Sequence, residues 1–69
     1  MSKFGETIMN LRTQRKLSTK EVAQAVSIPQ SRYSELEKGV RVPTDSQAAR
    51  MEEYFGMTSG ELVKLINPN

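Results

Sequence analysis

Among its 69 residues the chain has no cysteine, no histidine and no tryptophan. Without cysteine no disulfide can staple a small fold, and without cysteine or histidine the usual zinc ligands are missing. The same absences remove the commonest general base and the most reactive nucleophile, and the serines have no evident base beside them. No glycine-rich phosphate loop and no carboxylate pair at a cleft-like spacing takes their place. An enzyme is therefore not expected, nor is a metal, a cofactor or a small-molecule ligand. No apolar run approaches the roughly 18 residues of a membrane helix, and no signal-like segment opens the chain, so no membrane association is expected. Lack of cysteine fits a reducing compartment, and a cytoplasmic location is the expectation. At this length there is room for a single small domain with a thin core, spanning 1–69.

What the chain does have is an uneven charge. Through Pro43 there are eight lysines and arginines against four glutamates, and after Pro43 two against four acidic residues. A basic first half suits contact with phosphates, with the acidic half turned away.

The chain is organised around 17–44, LSTKEVAQAVSIPQSRYSELEKGVRVPT. Ser18 and Glu21 form a capping box that opens a helix over about 19–26, on which Val22, Ala23 and Val26 share a face. Ser27, Ile28 and Pro29 break it, with Ile28 as a core anchor and Pro29 at an N-cap or first-turn position. A second helix then runs over about 30–38, ended by Gly39 as a left-handed cap. Tyr33, Leu36 and Glu37 share its inner face; Ser31, Ser34, Glu35 and Lys38 share the outer one, with Gln30 and Arg32 at the rims. Two helices joined this tightly must cross steeply, which makes 19–38 a helix-turn-helix. Before it, Phe4, Ile8, Leu11, Arg12 and Arg15 mark a helix over about 4–15, preceded by a short polar lead. After it, Thr44 and Gln47 box a fourth helix over about 45–55 with Ala48, Met51 and Phe55 inward, ended by Gly56. Thr58 and Glu61 box a fifth over about 59–66, closed by Pro68. The class is all-α, since no alternating β-branched run follows Pro43.

Leu17, Ser18, Val22, Ala23, Ile28, Ser31, Leu36, Glu37, Gly39, Arg41, Pro43 and Thr44 together resemble, without a gap, the helix-turn-helix of the XRE family, the phage Cro and repressor type. Phe4-Gly5-Glu6 with Ile8, Leu11 and Arg12 is similar to the family's first helix. The resemblance implies a five-helix, lambda-repressor-like domain. It also implies that Arg12 and Glu37, both on core-facing stripes, form a structural ion pair tying the first helix to the second of the motif. The family often has glycine where Lys16 stands, glutamine at Thr19, Ile or Val at Tyr33, leucine at Asp45 and Gln47, and a small residue at Glu52. The departures at Asp45, Gln47 and Glu52 point to a lighter core or a different tilt of the fourth helix. Tyr33, whose hydroxyl needs a hydrogen-bond partner, is expected at the core edge, within reach of a phosphate.

The family's use of the motif implies double-stranded operator DNA as partner, with the second helix in the major groove. Base edges are then read from Gln30, Ser31, Arg32, Ser34 and Glu35. Gln30 suits adenine, Ser31 either base type and Arg32 guanine. Glu35 either accepts from a cytosine amino group or pairs with Arg32 three residues away. Thr19, Lys38, Arg41, Arg15 and Lys16 are the candidate phosphate contacts, which position without carrying sequence information. A homodimer on a palindromic site is implied, with Tyr54, Met57, Val63 and Ile66 as candidate interface residues. The expected function is a Cro-like transcriptional repressor, acting at the nucleoid. Restriction–modification controllers, antitoxins and activators share the same look. The rival reading is a helix-turn-helix module that binds a protein partner without specific DNA readout.

Overall fold

The computed structural model describes residues 2–66. Within them five helices follow in the order α1 (Lys3–Gln14), α2 (Thr19–Ala25), α3 (Gln30–Lys38), α4 (Asp45–Phe55) and α5 (Val63–Ile66), with no strand among the described residues. α3 lies against α1 and α2, while α5 closes the far side against α1 and α4.

Local signals set most of the helix ends. α1 starts a residue earlier than its apolar pattern indicates, because the Ser2 hydroxyl accepts from the Gly5 N–H at 2.9 Å. Its end is made by Lys16, whose φ of +57° puts a lysine in the left-handed conformation that usually falls to glycine, at a cost of about 1–2 kcal/mol. α2 carries a complete capping box: Glu21 N–H donates to Ser18 Oγ at 3.0 Å, and Ser18 N–H to Glu21 Oε1 at 2.8 Å. It stops at Ala25, one residue short of expectation. Ser27 turns left-handed at φ +58°, and the Ile28 N–H folds back to the Ala23 carbonyl at 2.9 Å. That turn drives Ile28 into the core, 4% exposed. α3 and α4 span the expected residues, and each ends on a left-handed glycine, Gly39 and Gly56.

The last helix differs from expectation. Residues 59–62 form turns, and only Val63–Ile66 is helical. Thr58 supplies half a capping box, its N–H donating to Glu61 Oε1 at 2.9 Å. The other organiser is Glu52, buried on α4. Its carboxylate accepts from the N–H groups of Gly60 (3.0 Å), Leu62 (2.7 Å) and Val63 (3.4 Å), wrapping the chain around itself instead of into a helix. These bonds, Gly60's foremost, hold the Glu52 carboxyl below its ordinary pKa against the opposing effect of burial. A position expected to lighten the core therefore carries a buried anchor. Pro68 lies outside the described residues.

The core draws on every helix except α5. Phe4 and Ile8 come from α1, Val22 and Ala23 from α2, Tyr33 and Leu36 from α3, and Met51 and Phe55 from α4, joined by Val26, Ile28 and Leu62 from the connections. Tyr33 is fully buried, not at the core edge. Its hydroxyl has no hydrogen-bond partner. Burial first, and the nearby Glu37 carboxylate second, push its pKa far above the ordinary tyrosine value. The phenol therefore stays protonated, and no phosphate can reach it. α1 also packs unusually close to α3. A Cβ on Gly5 would overlap the Glu37 carbonyl oxygen and lie 2.8 Å from that of Leu36, so only glycine admits this approach.

Candidate nucleic-acid interface

The outer face of α3 begins without a side-chain cap, since Pro29 occupies the N-cap position. Gln30, Ser31 and Arg32 are exposed there, and Ser34 and Glu35 are half-exposed one turn on. Tyr33, Leu36 and Glu37 are buried on the opposite face, so the helix divides cleanly between support and display. The uncapped first turn leaves the positive end of the helix dipole on the side of these polar residues.

Both ends of α3 are pinned by side chains. At its start Gln30 Nε2 donates to Thr19 Oγ1 at 3.1 Å, joining the two helices of the motif. Thr19 is too short to brace α3 by itself, and Gln30 makes the reach instead. One donor of Gln30 is thereby occupied, leaving its carbonyl oxygen and second N–H for other partners.

Near the far end, Arg12 grips Glu37 in a two-pronged ion pair, Nε to Oε2 at 2.7 Å and Nη2 to Oε1 at 3.1 Å. A third bond runs from Arg12 Nη1 to the Leu17 carbonyl at 3.0 Å, so one guanidinium links α1, α3 and the segment entering α2. The Glu37 bond is also the main reason the Arg12 pKa is raised further. A planar fork meeting a carboxylate in this way is a strong and directional contact.

Of the candidate phosphate contacts, Lys16 ahead of α2, Lys38 at the end of α3 and Arg41 just beyond it are exposed, and Thr19 is half-buried at the start of α2. Arg15 differs. Its Nη2 donates to the Phe55 carbonyl at 2.9 Å, and its guanidinium stacks 5.0 Å over the Phe55 ring. Arg15 therefore caps the end of α4, because a carbonyl without an intrahelical donor and an aromatic face both attract a cation.

The pairing of Glu35 also differs from expectation. Its partner is Arg41 in the following loop, Nε to Oε1 at 2.8 Å, and not Arg32 on its own helix. Among the described residues Arg32 makes no ion pair and is left free on the outer face.

The candidate interface residues between copies are divided. Met57 and Ile66 pack against the core, Val63 is half-exposed, and Tyr54 is 39% exposed beside Phe55. The most exposed large apolar residues lie elsewhere, at Val40 and Val42, which flank Arg41 and are each 71% exposed.

Sequence reasoning missed four positions that hold this arrangement: Ser2, Gly5, Arg50 and Glu52. Arg50 donates from Nε to the Val26 carbonyl at 2.8 Å, closing the end of α2. A glycine inside an otherwise good helix was the available signal for Gly5, and the departure from the family's small residue was the one for Glu52. Nothing local marks Arg50. Among the described residues no group of acidic side chains could hold a metal ion, and no helix is long and apolar enough to cross a membrane.

Comparison with known proteins agrees with this architecture. The family model described as helix-turn-helix matches residues 8–62, from the second turn of α1 to the residue before α5. The cryptic phage CTXphi transcriptional repressor RstR of Vibrio cholerae is 30% identical over 60 residues, covering 87% of this chain. The chain spans about half of that relative's length, 54%. No solved structure matches the chain. The helix-turn-helix geometry of α2 and α3, the support of α3 by α1 and the extent of the family match together place the chain in the XRE-type helix-turn-helix family.

Proposed function

We propose that the protein is a DNA-binding transcriptional regulator, a Cro-like repressor that occupies a palindromic operator as a dimer. The observation that carries this reading is the outer face of α3. It displays Gln30, Ser31 and Arg32 in the open, and Arg32 has no acidic partner within the described chain. A free guanidinium at the start of a helix suits the O6 and N7 edge of guanine, a contact worth about 1–3 kcal/mol of discrimination. Ser34 and the remaining amide valences of Gln30 complete the reading set. Lys16, Lys38, Arg41 and Thr19 supply phosphate contacts, with Arg15 withdrawn to α4. The name of the phage repressor RstR supports the sign of regulation.

Dimerisation is part of the proposal, because one small domain makes too few contacts to select a site in a genome. The longest extent of the fold is 31 Å. Two copies side by side suit half-sites one helical turn apart, about 34 Å. Tyr54 and Val63 lead the candidate interface, with Met57 and Ile66 contributing what the core leaves uncovered.

Selection from a randomised duplex pool, followed by affinity titration against salt, tests the reading. The expected outcome is an enriched palindrome whose preference relaxes at one base pair per half-site in Arg32→Ala, with binding that weakens log-linearly as salt rises. Absence of duplex binding at low salt would refute it. The second reading, a protein-binding helix-turn-helix, is favoured by the exposed pair Val40 and Val42. It predicts an interaction that scarcely responds to salt.

A further inference from the structure

Glu35 takes as its partner Arg41, a candidate phosphate contact, and not Arg32, a candidate base reader. Arg32 lies three residues away on the same helix, the spacing at which side chains meet. Arg41 lies six residues away across the left-handed Gly39 turn, yet its Nε is the group bound, at 2.8 Å. The other end of Arg41 is free: among the described residues its two terminal amino groups donate to nothing. Both side chains of the pair remain more than 40% exposed, so the pair sits in the solvent layer that a duplex would displace. Such a pair adds little to fold stability. Its effect is to fix the direction of a long side chain that would otherwise sample many rotamers.

We infer that Glu35 is a positioning residue for Arg41 and does not read a base. Resting on the DNA-binding reading above, the carboxylate aims the terminal amino groups of Arg41 at a phosphate beside the groove that α3 enters. It also cancels the charge of Arg41 when no phosphate stands at that point. On a matched site the phosphate falls where the held arginine already points, and contact costs little ordering. On unmatched DNA the register differs, Arg41 stays paired, and Glu35 repels the backbone. The pair thus widens the gap between matched and unmatched binding without touching a base edge, which is specificity by repulsion as well as attraction.

The test is a double-mutant cycle of Glu35→Gln and Arg41→Ala in the full chain. Each variant is titrated against the selected operator and an unrelated duplex at fixed salt, and duplex selection is repeated for Glu35→Gln. Glu35→Gln is expected to lower the operator-to-unrelated affinity ratio about three- to tenfold, the scale of immobilising one long side chain. In the Arg41→Ala background the same substitution is expected to leave the ratio unchanged, and base preference is expected to stay the same at every position. A changed preference at one base pair would overturn the inference and make Glu35 a base reader. An equal loss of ratio with and without Arg41 would reduce Glu35 to a general repeller and overturn it as well. Failure of the unsubstituted protein to prefer any duplex is a separate result that removes the regulator reading itself.

Discussion

Breaking the Arg12–Glu37 pair one side at a time is expected to harm the fold more than removing both partners together. The pair is nearly enclosed, its side chains 16% and 8% exposed. Glu37→Leu leaves the guanidinium with two donors unpaired, and Arg12→Met leaves a buried carboxylate without its cation. Stranding one member of a buried pair typically costs about 3–5 kcal/mol. The remaining exposure of Arg12 places the cost near the lower end, at about 3 kcal/mol. Stability of a chain this size is about 3–10 kcal/mol. Each single variant should therefore lose roughly 12–24 °C in Tm, at about 4–8 °C per kcal/mol for a small domain. In the double variant no charge is left behind. The remaining penalty is the Leu17 carbonyl losing its Arg12 donor, about 1 kcal/mol. Thermal and urea unfolding followed by circular dichroism would measure all three. A double variant that loses the sum of the single losses would show that the two residues are not coupled and would refute the reasoning.

Gly5→Ala should destabilise the domain by about 1–3 kcal/mol, although alanine favours a helix, because the added carbon must push the α3 carbonyls away from α1. A variant at least as stable as the parent in urea would show that the close approach is not enforced. Glu52→Gln should lower stability at neutral pH, since it trades a charged acceptor of three backbone N–H groups for a neutral one. The Glu52 pKa is lower folded than unfolded. Its contribution is therefore full above the ordinary value of 4.5 and lost as pH falls from there through the folded value. The gap between parent and variant in urea midpoint should narrow below about pH 4.5, and a gap constant down to strongly acid pH would contradict this.

The parts of the fold legible in the sequence are those fixed by neighbours in the chain. Gly39, Gly56 and the Thr44–Gln47 box bound α3 and α4 to the residue, because each cap is a contact between positions three or four apart. The beginning of α1 was less visible, since Ser2 caps it without the acidic residue that completes a box. α5 was overdrawn because its apolar spacing is helical, whereas Glu52, from another helix, sets the backbone of 59–62. The same limit governs the site. The display of Gln30, Ser31 and Arg32 follows from the period of α3. The attachments of Arg15 to Phe55, Arg50 to Val26 and Arg41 to Glu35 depend on which groups the finished packing brings within reach of a long side chain. These three arginines look alike in the sequence until the fold assigns each a carbonyl or a carboxylate.

The glycine contact between α1 and α3 also bears on how a duplex would be met. With Gly5 seated on the carbonyls of Glu37 and Leu36, and Gln30 at the rim of the display face hooked to Thr19, α3 is held at both ends while Ser31 and Arg32 stay unengaged. Such a helix has little freedom to tilt or slide to suit an imperfect site. On the proposed reading the adjusting partner is the DNA, whose bending and groove width must come to the protein. Operators should then be ranked partly by stiffness at base pairs lying between the half-sites, beyond the reach of any side chain. A flexible step introduced there would alter affinity while every direct contact stayed the same.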